Sequence, residues 1–223
     1  MFNDRFEIYT LSIVFLGDFN PVIVQPFWLA NKKLIGEREA EDIDIKLIHK
    51  DLVSFKADWF TLELNKARFE IRTSQQPYFE AIRDLTLGTF KFLKETPING
   101  LGINHIFHIP FRDAEQNRQL GYSLVSLDKF SGFFRDPRVL NLQVVEQKRA
   151  DGRTGNVSVA LSPSTETTSK WGLAININDN FMLAPDQTGR ESELVELLNS
   201  EWQNSLDRAK IIADGIWSTF AAE

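Results

Sequence analysis

Between residues 51 and 110 the hydrophobic residues change their period, and few folds accommodate that change. Val53, Phe55 and Ala57, then Phe60, Leu62 and Leu64, then Ala67, Phe69 and Ile71 recur at every second position, with Lys56, Thr61, Glu63, Arg68, Glu70 and Arg72 between them. Alternation of this kind describes three strands with one dry and one wet face. The connections at 56–58 and 65–66 are short, so an antiparallel meander is the expected assembly. The period then becomes helical, with Tyr78, Phe79, Ile82, Leu85, Phe90 and Leu93 at three- and four-residue spacing. Ser74 stands as a cap and Pro77 in the first turn, where its missing N–H costs nothing. Gly88, which costs about 1 kcal/mol against alanine inside a helix, is expected to mark a close approach to the sheet. Pro97 and Asn99-Gly100 end the helix and lead to a fourth strand, 101–109 (LGINHIFHI).

Ahead of this unit, 9–16 (YTLSIVFL) reads as a strand stopped by Gly17-Asp18, and 22–24 as a second, short one. Pro26 opens a short helix closed by Gly36. The run Glu37, Glu39, Glu41, Asp42 and Asp44 lacks the alternating-oxygen spacing and central glycine of a calcium loop, so it is expected to be a solvated loop or helix face. Beyond residue 110, the polar stretch 112–121 is the expected junction between halves, and Leu127, Phe130, Phe133 and Phe134 form an apolar set at helical spacing. Residues 139–146, 156–161 and 171–178 read as strands. Lys148, Arg149 and Arg153 around Asp151-Gly152 read as a solvated hairpin tip, with a phosphate contact as the other reading. Asn178-Asp179-Asn180 is a polar stop, leading through Pro185 and Gly189 into a helix over 192–220 striped by Leu194, Leu198, Trp202, Leu206, Ala209, Ala213, Ile216 and Phe220.

Three strands then a helix, twice over, predicts an α+β fold. Two β-meander-plus-helix halves, an internal duplication, would form one curved, mainly antiparallel sheet packed on long helices. A single domain over 1–223 with pseudo-halves 1–115 and 116–223 is expected.

Chemistry is harder to find. With no cysteine there is no disulfide, thiolate metal site or cysteine nucleophile, and a reducing, cytoplasmic setting is expected. No apolar run approaches the ~18 to 20 residues that cross a bilayer, and the N-terminal stretch does not read as a signal peptide. A net charge of −6 argues against nucleic acid as a partner. No phosphate-binding loop, dinucleotide fingerprint or nucleophile elbow is present. His105 and His108 are an odd number of residues apart, so on a strand they face opposite ways and cannot share a metal. His105, on the apolar face, reads as a hydrogen-bonded core histidine. No metal and no cofactor is expected.

The blocks FNPVIVQPFWLANKKLI, RFEIRT, LGTFKFLKETPINGLGIN, NVSVALSPS and WGLAININDNF resemble, in this order, a family of uncharacterised bacterial α+β proteins. The resemblance covers about residues 12 to 220. It implies a single α+β unit in a bacterial cytoplasm and, since the family has no assigned activity, it transfers no site.

The leading functional expectation is a non-enzymatic protein-interaction module that self-associates as a homo-oligomer. Gly172, Ala174 and Asn176 offer it a smooth strand face, and Trp217 lies off the stripe of the last helix. The alternative is a small-molecule binding protein, with a cavity between sheet and helices lined by some of the 18 phenylalanines and by Asn104, His108 and Arg112. A hydrolase with dispersed catalytic residues is the third.

Overall fold

A computed structural model describes residues 5–183 and 191–221, with the side chains of 191, 192 and 219–221 left out. The chain runs β1 (Ile8–Gly17), a 3-10 turn (Pro21–Ile23), α1 (Pro26–Asn31), α2 (Glu37–Glu41), β2 (Asp44–His49), β3 (Leu52–Lys56), β4 (Thr61–Asn65), β5 (Arg68–Thr73) and α3 (Phe79–Phe92). It continues through β6 (Ile98–Ile109), α4 (Ala114–Leu124), β7 (Leu142–Glu146), β8 (Gly155–Pro163), β9 (Leu173–Met182) and α5 (Glu191–Ala221). The fold is α+β: among the described residues, nine strands form one antiparallel sheet in the order β2-β3-β4-β5-β1-β6-β9-β8-β7.

The alternation read from the sequence sets the two faces. Val53, Phe55, Leu62, Leu64, Phe69 and Ile71 are buried, and across the centre Ile13, Ile103 and Ile177 continue the same dry face. α3 packs on β1 and β5, and α5 on β6 and β9. Phe90 of α3 stands edge-on to Phe15 and Phe69, with ring centroids 4.8 and 5.1 Å away. Thr86 and Thr89 are buried in the same helix because their hydroxyls donate to the carbonyls of Ile82 and Leu85. Phe15, Phe69 and Phe90 thus fill space between sheet and helix.

Several elements differ from the sequence expectation, each for a local reason. Ser74 caps nothing, because a 3-10 turn (Gln76–Tyr78) intervenes before α3. Residues 22 and 23 belong to a 3-10 turn and 24 caps it, rather than forming a strand, as Pro21 supplies the turn's first position. Gly88 approaches Leu34, not the sheet: a β-carbon there would lie 2.5 Å from Leu34 Cδ2. The polar stretch 112–121 is mostly helix α4, whose start is capped by Asp113 accepting from the Gln116 N–H. β2, all of it exposed, carries no one-sided alternation and so left no strand signal. Of the expected long helices only α5, with 31 residues, is long; α3 has 14. The expected turn at Pro185 and Gly189 and the side chain of Phe220 lie outside the described residues.

α5 buries Leu194, Leu198, Trp202, Leu206, Ala209 and Ala213, each large apolar side chain contributing about 1.5–3 kcal/mol. Trp202 also donates its indole N–H to Glu80 of α3 at 3.2 Å, and the Arg83 guanidinium lies over its ring. Trp202→Phe keeps most of the apolar area but leaves Glu80 without that donor. Urea unfolding is expected to show a loss of about 1–2 kcal/mol; an unchanged midpoint would mean that the α3–α5 bond contributes nothing.

Candidate functional site

Three polar clusters have the composition of functional sites, and burial separates them. The first sits at the middle of the dry face. Tyr9 Oη lies 2.8 Å from His105 Nδ1, and His105 Nε2 lies 3.0 Å from Ser205 Oγ on α5. A serine held against a histidine is the arrangement of an activated nucleophile, but here His105 is 0% and Ser205 1% exposed, so no substrate reaches either. Burial holds the imidazole neutral, its pKa pushed down to about 3 with the Lys210 and Arg208 charges adding to the effect. The neutral ring has one N–H, so one contact is given and the other received. His105 is therefore a satisfied core histidine.

The second cluster overturns the reading of the 148–153 turn. Asp179 lies on β9 in the dry register between Ile177 and Phe181 and is 1% exposed. Arg149, from the β7–β8 hairpin, reaches in: its Nη1 donates to Asp179 Oδ1 at 2.5 Å, and its guanidinium stacks 3.9 Å over the Phe181 ring. Arg208 of α5 donates to Asp179 Oδ2 and, at 3.2 Å, to Asp151 Oδ2. The bonds from Arg149 and the Arg153 N–H hold the Asp151 carboxyl down at about 2. Arg153 pairs with Glu201 of α5 at 2.5 Å. Arg149 is thus no solvated tip, and Asn178-Asp179-Asn180 is no stop, since β9 continues to Met182 because the buried carboxylate is paired. The sequence signal for this cluster was one acid in an otherwise apolar alternation, Ile175, Ile177, Asp179, Phe181.

The third cluster closes the wet face at the end of β6. His108 Nδ1 lies 2.7 Å from Ser164 Oγ, which also accepts the Glu166 N–H. Burial lowers the histidine pKa. The loop beyond Ser164 is fastened down, with the Thr168 N–H donating to Glu7 at 3.1 Å and Ser169 Oγ donating to the Phe111 carbonyl. Gly172 lies inside this loop, where a β-carbon would fall 1.9 Å from Thr167 Oγ1. Its small size is taken up by its own chain rather than offered to a partner. Ala174, beside His108 in the register, is buried; Asn176 is exposed; Trp217 is half-buried against the core.

Asn104 shares the wet face, donating to Ser12 Oγ at 3.3 Å. Asn178 pairs with it in register, and its Oδ1 is buried without a hydrogen-bond partner. Arg112 lies past the end of β6, exposed, its N–H bonded to Gln116 Oε1. Asn104 and His108 face away from the helices, so a cavity between sheet and helices cannot be lined by them and by the core aromatics together. Among the described residues no group of three or more histidine or acidic side chains is placed to hold a metal ion, and no helix is long and apolar enough to cross a membrane.

The remaining feature is a surface. Leu127 is buried, but Phe133, Phe134 and Leu140 are 83%, 61% and 68% exposed, because 127–130 forms a single 3-10 turn and not a helix with a buried stripe. A groove of about 650 Å³ runs among Leu127, Phe130, Phe134, Leu140 and Leu142. It abuts β7, an edge strand whose neighbours Val144 and Val145 point to opposite faces and are both exposed. Nothing in the hydrophobic pattern distinguished these residues from core.

No protein-family model matches the chain, and no curated protein matches it.

Proposed function

We propose that this protein is an interaction module that self-associates, and that it does so through the surface around β7. The observation supporting this is the continuity of exposed apolar groups from Phe130 through Leu140 to Val144 with the open edge of a sheet. Large contiguous apolar patches are rare on proteins that act alone, and an unpaired strand edge offers backbone donors and acceptors to another chain. The polar clusters support the same reading from the other side: the buried serine–histidine pair and the ion-pair network serve packing.

Sedimentation equilibrium from micromolar to millimolar chain is expected to show a reversible oligomer. Phe134→Ser and Val144→Lys are expected to shift it toward monomer without lowering the unfolding temperature at concentrations where the parent is itself monomeric, because both side chains are solvated in the single chain. A monodisperse monomer throughout that range would overturn the reading.

The order of the strands supports the internal duplication as well. β1 followed by β3–β5 and α3 corresponds to β6 followed by β7–β9 and α5, with β1 and β6 adjacent, β5 and β9 flanking them, and β4 and β8 next. On this reading the units divide ahead of β6 rather than at 115/116, and β2 with α1 and α2 is an insertion. Nine strands with ordinary twist coil rather than lie flat, which supports the curved sheet. A bacterial cytoplasmic setting, with the family resemblance, fits a chain without cysteine.

A further inference from the structure

We infer that the partner at β7 is β7 of a second copy, paired antiparallel about a twofold axis that passes beside Leu142. The inference rests on the self-association proposed above and names its geometry.

The sheet has two edges, and they differ. β2 carries a register shift between Ile45 and Leu47 and a charged pair, Asp44 with Lys46, features that turn away a further strand. β7 is regular against β8 and has no charge between Leu142 and Val145. A closed dimer must be reciprocal, so that whenever residue i meets residue j, j meets i.

With Leu142 opposite itself, Leu140 meets Val144, Val139 meets Val145 and Asn141 meets Gln143. Arg138 then meets Glu146, twice in the dimer. Neighbouring registers do worse. A slip of two residues one way leaves Glu146 opposite Leu140, and the other way leaves Arg138 opposite Val144. A slip of one leaves Glu146 opposite Val139 in one direction and Arg138 opposite Val145 in the other. Like charges directly opposite are unfavourable, and opposite charges favourable.

Geometry adds to charge. Leu142 and Val144 are in register with Leu161 and Val159 of β8, so they lie on the helix-covered side of the sheet. Pairing therefore joins the two apolar grooves across the axis. It requires 138–141, which lie outside β7, to extend the strand, and Arg138 to exchange its exposed partner Asp136 for Glu146 of the second copy.

The test is a charge-reversal cycle on the full chain, read by sedimentation equilibrium and by amide hydrogen exchange. Arg138→Glu and Glu146→Arg are each expected to raise the dimer dissociation constant at least about tenfold, since each sets like charges opposite at two places. The double variant restores the pairing and is expected to return to within about threefold of the parent. Amides of 138–146 are expected to gain protection as dimer forms. Single variants without effect, or a double variant no tighter than the weaker single, would overturn the register; if Val144→Lys still weakens the dimer, self-association at this surface stands without it. A chain that stays monomeric at millimolar concentration overturns both.

Discussion

Asp179→Ala is expected to lower the stability of the protein by about 3–5 kcal/mol, the loss that follows when one partner of a buried ion pair is removed. The carboxylate is the point at which three elements meet. Arg149 brings the β7–β8 hairpin to it, Arg208 brings α5, and Asp179 itself lies mid-sheet on β9. Without it the Arg149 guanidinium, its side chain 1% exposed, keeps Asp151 and the Phe181 ring but faces the core with one carboxylate fewer. Asp151→Ala is expected to cost less, because its carboxyl is nearer solvent and the Arg149–Asp179 pair survives. Urea unfolding at neutral pH measures both. A loss below about 1 kcal/mol for Asp179→Ala, the range of surface ion pairs, would show that packing alone positions the hairpin.

The second large effect is acid sensitivity centred on His105. Its folded pKa is about 3, against an ordinary value of 6.5, because the ring is buried. Below pH 6.5 the unfolded chain binds a proton that the folded chain does not, so stability is fully present above that pH and falls as the solution is acidified toward pH 3. The slope is about 1.4 kcal/mol per pH unit. Between pH 7 and pH 5 this one residue is expected to remove about 2 kcal/mol, before ordinary carboxylates begin to titrate. His108, also lowered by burial, acts in the same direction. Asp151, held at about 2, contributes stability that is lost only at lower pH, as the solution falls below the ordinary carboxylate range. Unfolding free energies of the parent and of His105→Gln at pH 7 and pH 5 separate these windows. The variant is expected to be less stable at pH 7 yet to lose less on acidification; equal losses would place the sensitivity elsewhere.

Much of the framework was legible because it is written in local periodicity. β3, β4 and β5 alternate, α3 and α5 are striped, and a one-sided element can satisfy such a pattern only by turning that side inward. β2 and α4 left no such trace: the first is exposed at all six residues, and the second buries only Leu120 and Gly121. The candidate surface was legible in identity but not in placement. Phe133 and Phe134 read as part of an apolar set at helical spacing, and their exposure follows from a 3-10 turn too short to carry a stripe. Asn104 and His108 were rightly placed on one face of a strand, while the covering of His108 came from a loop more than fifty residues away in sequence, through Ser164.

What the chain determined by itself is therefore the α+β alternation, the antiparallel meanders and the dry face of each strand, all consequences of side-chain direction along a few residues. Tertiary structure alone decided that Asp179 would be paired by Arg149 and Arg208, that Gly172 would be sealed beneath its own loop, and that β7 would lie at an edge. Those outcomes depend on which distant segments meet. A charge or a strand edge carries no sign, in its own neighbourhood, of the partner that will or will not arrive.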